Sequence, residues 1–191
     1  MRRLLLVFLF LLTLASVQAQ AQTLKPVPPV QGKTVGQTLA MMGIASRFYS
    51  ALKLAKLDSI LNSTPKVQYT VFAPTNDAFD RLEEKGVKLT SSSVKGIDPH
   101  QFDLMMKFHV VPGRYTTEAL KAGQSLRTLN TVLNIKITAQ GPKIFVSGLN
   151  TAPVELRNAY ILCNNGVIHL IDDVMIPFSR NQLKPNAELP K

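Results

Sequence analysis

The chain changes its hydrophobic period partway along, and that limits the folds open to it. Before Leu126 helical spacing predominates, broken by two short strand-like stretches; after it everything reads as strands. In SRFYSALKLAKL (46–57), Phe48, Ala51, Leu52 and Ala55 fall on one helical face, with Ser46 placed to cap it. Leu57, Ile60 and Leu61 carry that surface into a second short helix. In TVLNIKIT (131–138), Leu133, Ile135 and Ile137 alternate with Asn134, Lys136 and Thr138, a half-buried strand that sends Lys136 to solvent. KIFVS, PVEL and NAYILC follow as further strands. GVIHLIDDVMI (166–176) is so continuously apolar that it belongs deep in a sheet. Helices first and strands later predict an α+β fold rather than an alternating α/β one.

Between these regions, TVFAPTNDAF (70–79) passes from strand to helix within ten residues. Thr70, Val71 and Phe72 are β-formers, Pro74 stops the ladder, and Thr75, Asn76 and Asp77 each carry a side-chain oxygen suited to a cap or turn. Ala78 to Lys85 then reads as helix. Asp98 and Pro99 open the next helix as N-cap and first residue, with Gln101 at the capping-box position and Phe102, Met105 and Met106 facing inward. FHVV (108–111) switches back to strand, Pro112-Gly113 ends it, and TTEALKAG (116–123) is a short helix closed by Gly123.

Arg2 and Arg3 precede LLLVFLFLLTLA (4–15), and small residues offer cleavage after Ala19 or Ala21. This predicts a signal peptide over 1–21 and an exported chain without a stable membrane anchor. A proline-containing leader, extended and mobile, is expected over 22–35, one domain over 36–178 and a polar tail over 179–191. The destination is extracellular, or the periplasm or cell wall in a bacterium or plant. A lone cysteine, Cys163, excludes an intramolecular disulfide, so the core must stabilise the fold unaided. Its apolar surroundings predict a buried, inert thiol. Basic residues number 22 against 12 acidic; without Arg2 and Arg3 the balance is still +8. That charge favours acidic partners on the outside of a cell, while nucleic acid does not suit an exported protein.

TVFAPTNDAF, FHVVPG (108–113) and NNGVIHLIDDVMIP (164–177) together closely resemble the signature segments of fasciclin (FAS1) domains, and FYSALKLAKLDSIL (48–61) resembles that family's first helices. The resemblance runs from Gly36 to Phe178. It implies a β-sandwich or wedge with helices packed around one side, and a secreted, non-enzymatic module for cell adhesion. It also implies that Thr75 or Asn76 caps the helix after the first signature strand, with Asp77 near the positive end of its dipole. Phe108 stands where the family usually has tyrosine, and His109 matches the family's histidine, with a structural role. Asn165, Gly166 and His169 belong to the second signature. Tyr160-Ile161 occupies the place of an Asp-Ile pair associated with integrin binding in animal matrix members, and tyrosine lacks the carboxylate such a contact needs.

The chemistry of the remaining residues points the same way. His100, Asp103 and His109 have no metal-ligand spacing, and Asp172-Asp173 reads as a solvated strand end; no metal or cofactor is expected. Cys163, His169 and Asp172 do not make a triad, because strand periodicity turns His169 and Asp172 to opposite sides. His169 reads as a hydrogen-bonded core histidine. An alternative to adhesion is a soluble binder of acidic glycans, contacting them through Arg127, Lys136 and Lys143. A hydrolase is a third and weaker reading. Asn62-Ser63-Thr64 is an N-glycosylation acceptor in a eukaryotic host.

Overall fold

A computed structural model of the chain describes residues 25–27, 32–63, 65–90, 94–148 and 152–178. The expected signal peptide and polar tail lie outside these residues. Six helices are among them: α1 (Val35–Met41), α2 (Ser46–Leu54), α3 (Asp58–Leu61), α4 (Asn76–Glu84), α5 (Pro99–Phe108) and α6 (Thr117–Leu120). The first opens on a reciprocal capping box between Thr34 and Gln37. The Thr34 hydroxyl accepts the Gln37 amide at 3.2 Å, and the Gln37 side chain accepts the Thr34 amide at 3.0 Å. On α5 the expected cap is present: the Asp98 carboxylate accepts the amides of His100 and Gln101 at 2.9 and 3.1 Å. Ser46 does not cap α2; it is that helix's first residue, with Ala45 at the cap position.

The strands are β1 (Lys25–Val27), β2 (Tyr69–Pro74), β3 (Lys88–Leu89), β4 (Val94–Lys95), β5 (Val110–Pro112), β6 (Gln124–Arg127), β7 (Asn134–Gln140), β8 (Lys143–Ser147), β9 (Val154–Cys163) and β10 (Gly166–Ile171). β3 and β4 form a separate small hairpin, and the others make one sheet in the order β5-β2-β10-β9-β8-β7-β6. PVEL and NAYILC are thus parts of one long strand, β9. The apolar run GVIHLIDDVMI is strand only as far as Ile171, where the register with β9 shifts and the chain bends at Asp172 and Asp173. β1 pairs in parallel with 159–161 of β9. The leader therefore contributes a strand to the sheet, which the expected mobile linker does not. β8 covers β9 only at Val154 and Glu155, so the edge farther along is open to that pairing. At the far ends the sheet nearly closes on itself: the Leu129 amide, just past β6, donates to the Val110 carbonyl of β5 at 2.8 Å.

The two signature strands lie side by side. β10 pairs in parallel with β2, placing Ile168 opposite Val71 and His169 opposite Phe72. Gly166 is required by this seam, since a side chain there would collide with the Tyr69 carbonyl. Successive residues on these strands face opposite ways, and the core divides accordingly. Tyr69, Val71, Ala73 and Ile168 pack with Phe48, Leu52, Phe79 and Met105 on the helical side. Phe72 and Ile171 pack with Leu126, Ile135, Ile137, Val146 and Leu156 on the other. The result is an α+β wedge with helices around one side. No helix among the described residues is long and apolar enough to cross a membrane.

Candidate interaction surface

Two buried histidines hold the signature strands to their neighbours. His109 follows α5 and is fully buried; its Nδ1–H donates to the Met105 carbonyl at 2.8 Å. Its Nε2 accepts the Met175 amide at 3.0 Å, which fixes a neutral tautomer. The ring packs on Phe48, 5.5 Å between centroids. On β10, His169 donates from Nε2 to the Tyr115 carbonyl at 2.8 Å and stacks on Phe72. Burial lowers both pKa values to about 4. With both nitrogens of His109 engaged by backbone, the ring is a cross-link between α5 and the chain after β10.

The other polar residues of the signatures also bond inward. Asn165 is buried; its carbonyl oxygen Oδ1 accepts the Val35 amide at 2.7 Å, and Nδ2 donates to the carbonyls of Leu61 and Ser63. Buried Thr70, whose β-forming character gives no hint of these bonds, donates to the Gly113 carbonyl and accepts the Tyr115 amide, both at 2.8 Å. Thr75 occupies the cap position of α4, yet its hydroxyl makes no cap bond; its side-chain contact is with Asp172, at 3.5 Å. Asn76 is the first residue of α4, and its side chain reaches another helix. There Oδ1 accepts the Arg47 amide at 3.1 Å, while Nδ2 donates to the Gly43 carbonyl at 2.8 Å. So Asn76 caps α2 rather than α4, a pairing across 29 residues that no local pattern reveals. Asp77 is exposed in the first turn of α4. Phe108 is wholly enclosed by apolar residues, among them Phe72 and Leu120, and Tyr160 is buried against His169.

Residues weighed for catalysis are kept apart. The Cys163 thiol donates to the Thr38 hydroxyl at 3.3 Å, and burial raises its pKa. His169 is bound to Tyr115, while Asp172 accepts from Arg157 at 2.6 Å. Asp103 pairs with Lys107 at 2.7 Å. Among the described residues no group of three or more His, Cys, Asp or Glu is placed to hold a metal ion.

The basic residues expected to contact glycans share the β6–β8 face. Arg127 and Lys136 are exposed on adjacent strands, and the register, Arg127 opposite Asn134 and Ser125 opposite Lys136, sets them on the same face. A shallow cleft of about 590 Å³ runs beside Lys136, bounded by Lys121 and Gln124. Lys143 shares the face but pairs with Glu155 at 3.0 Å, so it adds less positive field than a free lysine. Asn62 lies across Gly36, with Oδ1 accepting the Thr34 hydroxyl at 2.8 Å; Thr64 of its acceptor motif is outside the described residues.

A model of the Fasciclin domain matches residues 44–177. Stabilin-1 of Mus musculus is 32% identical over 154 residues, 80% of this chain and 6% of that protein. Protein sll1483 of Synechocystis is 31% identical over 135 residues, covering 69% of this chain and 67% of that protein. The solved FAS1 domain pair from the insect cell adhesion molecule fasciclin I superposes with a TM-score of 0.63 at 17% identity, over 81% of this chain and 53% of that one. The chain thus spans a small fraction of the animal relative and about half of the solved pair. With the paired signature strands and their buried histidines set in this wedge, the chain belongs to the fasciclin domain family.

Proposed function

We propose that the protein is a secreted, non-enzymatic interaction module that supports adhesion at a cell surface, wall or matrix. The observation that carries this reading is the inward bonding of the signature residues. His109, His169, Asn165 and Thr70 are all bound to the protein's own backbone, so they stiffen a scaffold and leave recognition to the outer faces. The partner is an extracellular protein or polysaccharide. The buried Tyr160 offers no carboxylate, so metal-dependent integrin contact at that position is not part of the proposal. The test is retention of cells, or of wall or matrix fragments, on immobilised protein, run beside a panel of hydrolase substrates. Turnover of a substrate, or no retention of any surface, overturns the reading.

A second reading, binding of acidic glycans, is favoured by the shared face of Arg127 and Lys136. Exposed ion contacts weaken as salt shortens the screening length to about 8 Å at physiological strength. Binding to a sulfated or uronate polysaccharide should therefore fall steeply with salt and fall again in an Arg127→Glu, Lys136→Glu double variant. Lys143→Glu should matter less, because Lys143 is already paired. Salt-insensitive binding retained by the double variant would exclude this face as the glycan site.

A further inference from the structure

Between the C-terminal end of α2 and the start of α5 the surface opens into a cleft of about 350 Å³, within the range of small-ligand sites. Leu54, Val94, Ile97 and Phe102 give it an apolar wall, and two charged residues, Lys56 and Asp103, also line it. Asp103 is answered within its own helix by Lys107 at 2.7 Å. Lys56 has no carboxylate partner among the described residues. The cleft therefore presents an apolar body and one uncompensated positive charge.

The backbone gives an independent reason to single out Lys56. Its φ is 55°, in the left-handed region. Its amide donates to the Lys53 carbonyl at 3.0 Å, and the next amide, that of Leu57, donates to the Leu52 carbonyl at 2.9 Å. This doubly bonded helix ending ordinarily places glycine at the left-handed position, since a Cβ is strained there. Here the strained position carries a long cationic side chain beside an open cleft. Strain retained in this way gathers at ligand sites.

We propose that the cleft binds a small anionic amphiphile, of the class of medium-chain alkyl carboxylates, with its chain against Leu54, Val94, Ile97 and Phe102 and its carboxylate at the Lys56 ammonium. An alkylammonium of the same length would meet Lys56 as a like charge.

The test is titration of isotopically labelled full-length protein with dodecanoate and, separately, dodecylammonium, both below their micellar concentrations, followed by amide shifts. Dodecanoate should saturate and move the amides around 54–56 and 94–103, with dodecylammonium at least about threefold weaker, the scale of one exposed ion pair. Val94→Trp, at a half-buried position, should fill the cleft and remove binding. Lys56→Glu should invert the head-group preference. Lys56→Gly should raise the melting temperature, by relieving the backbone, while abolishing that preference. No saturable dodecanoate binding, equal affinity for the two head groups, or dodecanoate binding unaltered by Val94→Trp overturns the proposal. Should Val94→Trp fail to fold, an unchanged preference in Lys56→Gly overturns it equally.

Discussion

A histidine buried neutral makes folding sensitive to acid in a calculable direction. The folded pKa values of His109 and His169 are lowered to about 4 from 6.5, chiefly by burial. Above pH 6.5 both rings are neutral in folded and unfolded chains, so their contribution to stability is fully present. As pH falls from 6.5 through 4 the unfolded chain takes up protons that the folded one refuses, and stability is lost. The full loss is on the order of 3 kcal/mol per histidine. Urea unfolding at pH 7.5 and 4.5 should show this fall, and His169→Asn should flatten part of it; a pH-independent midpoint would contradict the buried neutral state. Asn165 carries a different kind of weight. It satisfies one buried amide and two carbonyls, so Asn165→Ala should cost about 2–4 kcal/mol in equilibrium unfolding, through groups left without partners.

At the scale of single elements, capping and burial decide which substitutions matter. Because Asn76 holds the start of α2, Asn76→Ala should lower stability by about 1–2 kcal/mol. Exposed Asp77 makes only a dipole contribution, so the melting point of Asp77→Ala should lie between those of Asn76→Ala and the unaltered protein. Ile168 is fully buried, and Ile168→Ala should cost roughly 2–5 kcal/mol. Leu170, two residues on, is half-buried and should cost less. Equal losses at the two positions would mean that β10 is not seated as described. Most elements were legible because local rules govern them: alternation for β7, the Asp98-Pro99 opening for α5, the strand-to-helix passage at 70–79. The Thr34–Gln37 capping box is legible by the same local rule. The partner of Asn76 was not legible, nor was the Lys143–Glu155 pair, because both are choices made by distant residues. Nothing local marks Lys56 as left-handed either, since glycine or asparagine is the usual signal for that conformation.

For the molecule as a whole, the period change along the chain was enough to give an α+β class, and the three signature segments pointed to the wedge. The order of strands was beyond local reasoning. A continuous apolar run says that β10 is buried on both faces but not that it lies between β2 and β9, and a proline-containing leader gives little sign of becoming β1. The β2–β10 seam is the place where the whole fold is most exposed to one substitution. Gly166→Ala should cost on the order of 3 kcal/mol or more, because the added carbon meets the Tyr69 carbonyl and rigid backbone has little room to yield. Broadened thermal unfolding, with loss of amide-exchange protection in both strands, is the expected readout; local loss in β10 alone would show that the strands are not one cooperative unit. The same seam sets an order of events during synthesis. β2 leaves the ribosome about a hundred residues ahead of β10, so its place beside β2 at the middle of the sheet stays empty until residue 171 has emerged. Until then the early helices have only part of a sheet to lie on. A nascent chain of this design stays open at its centre until residue 171 is free, and only then can the wedge close.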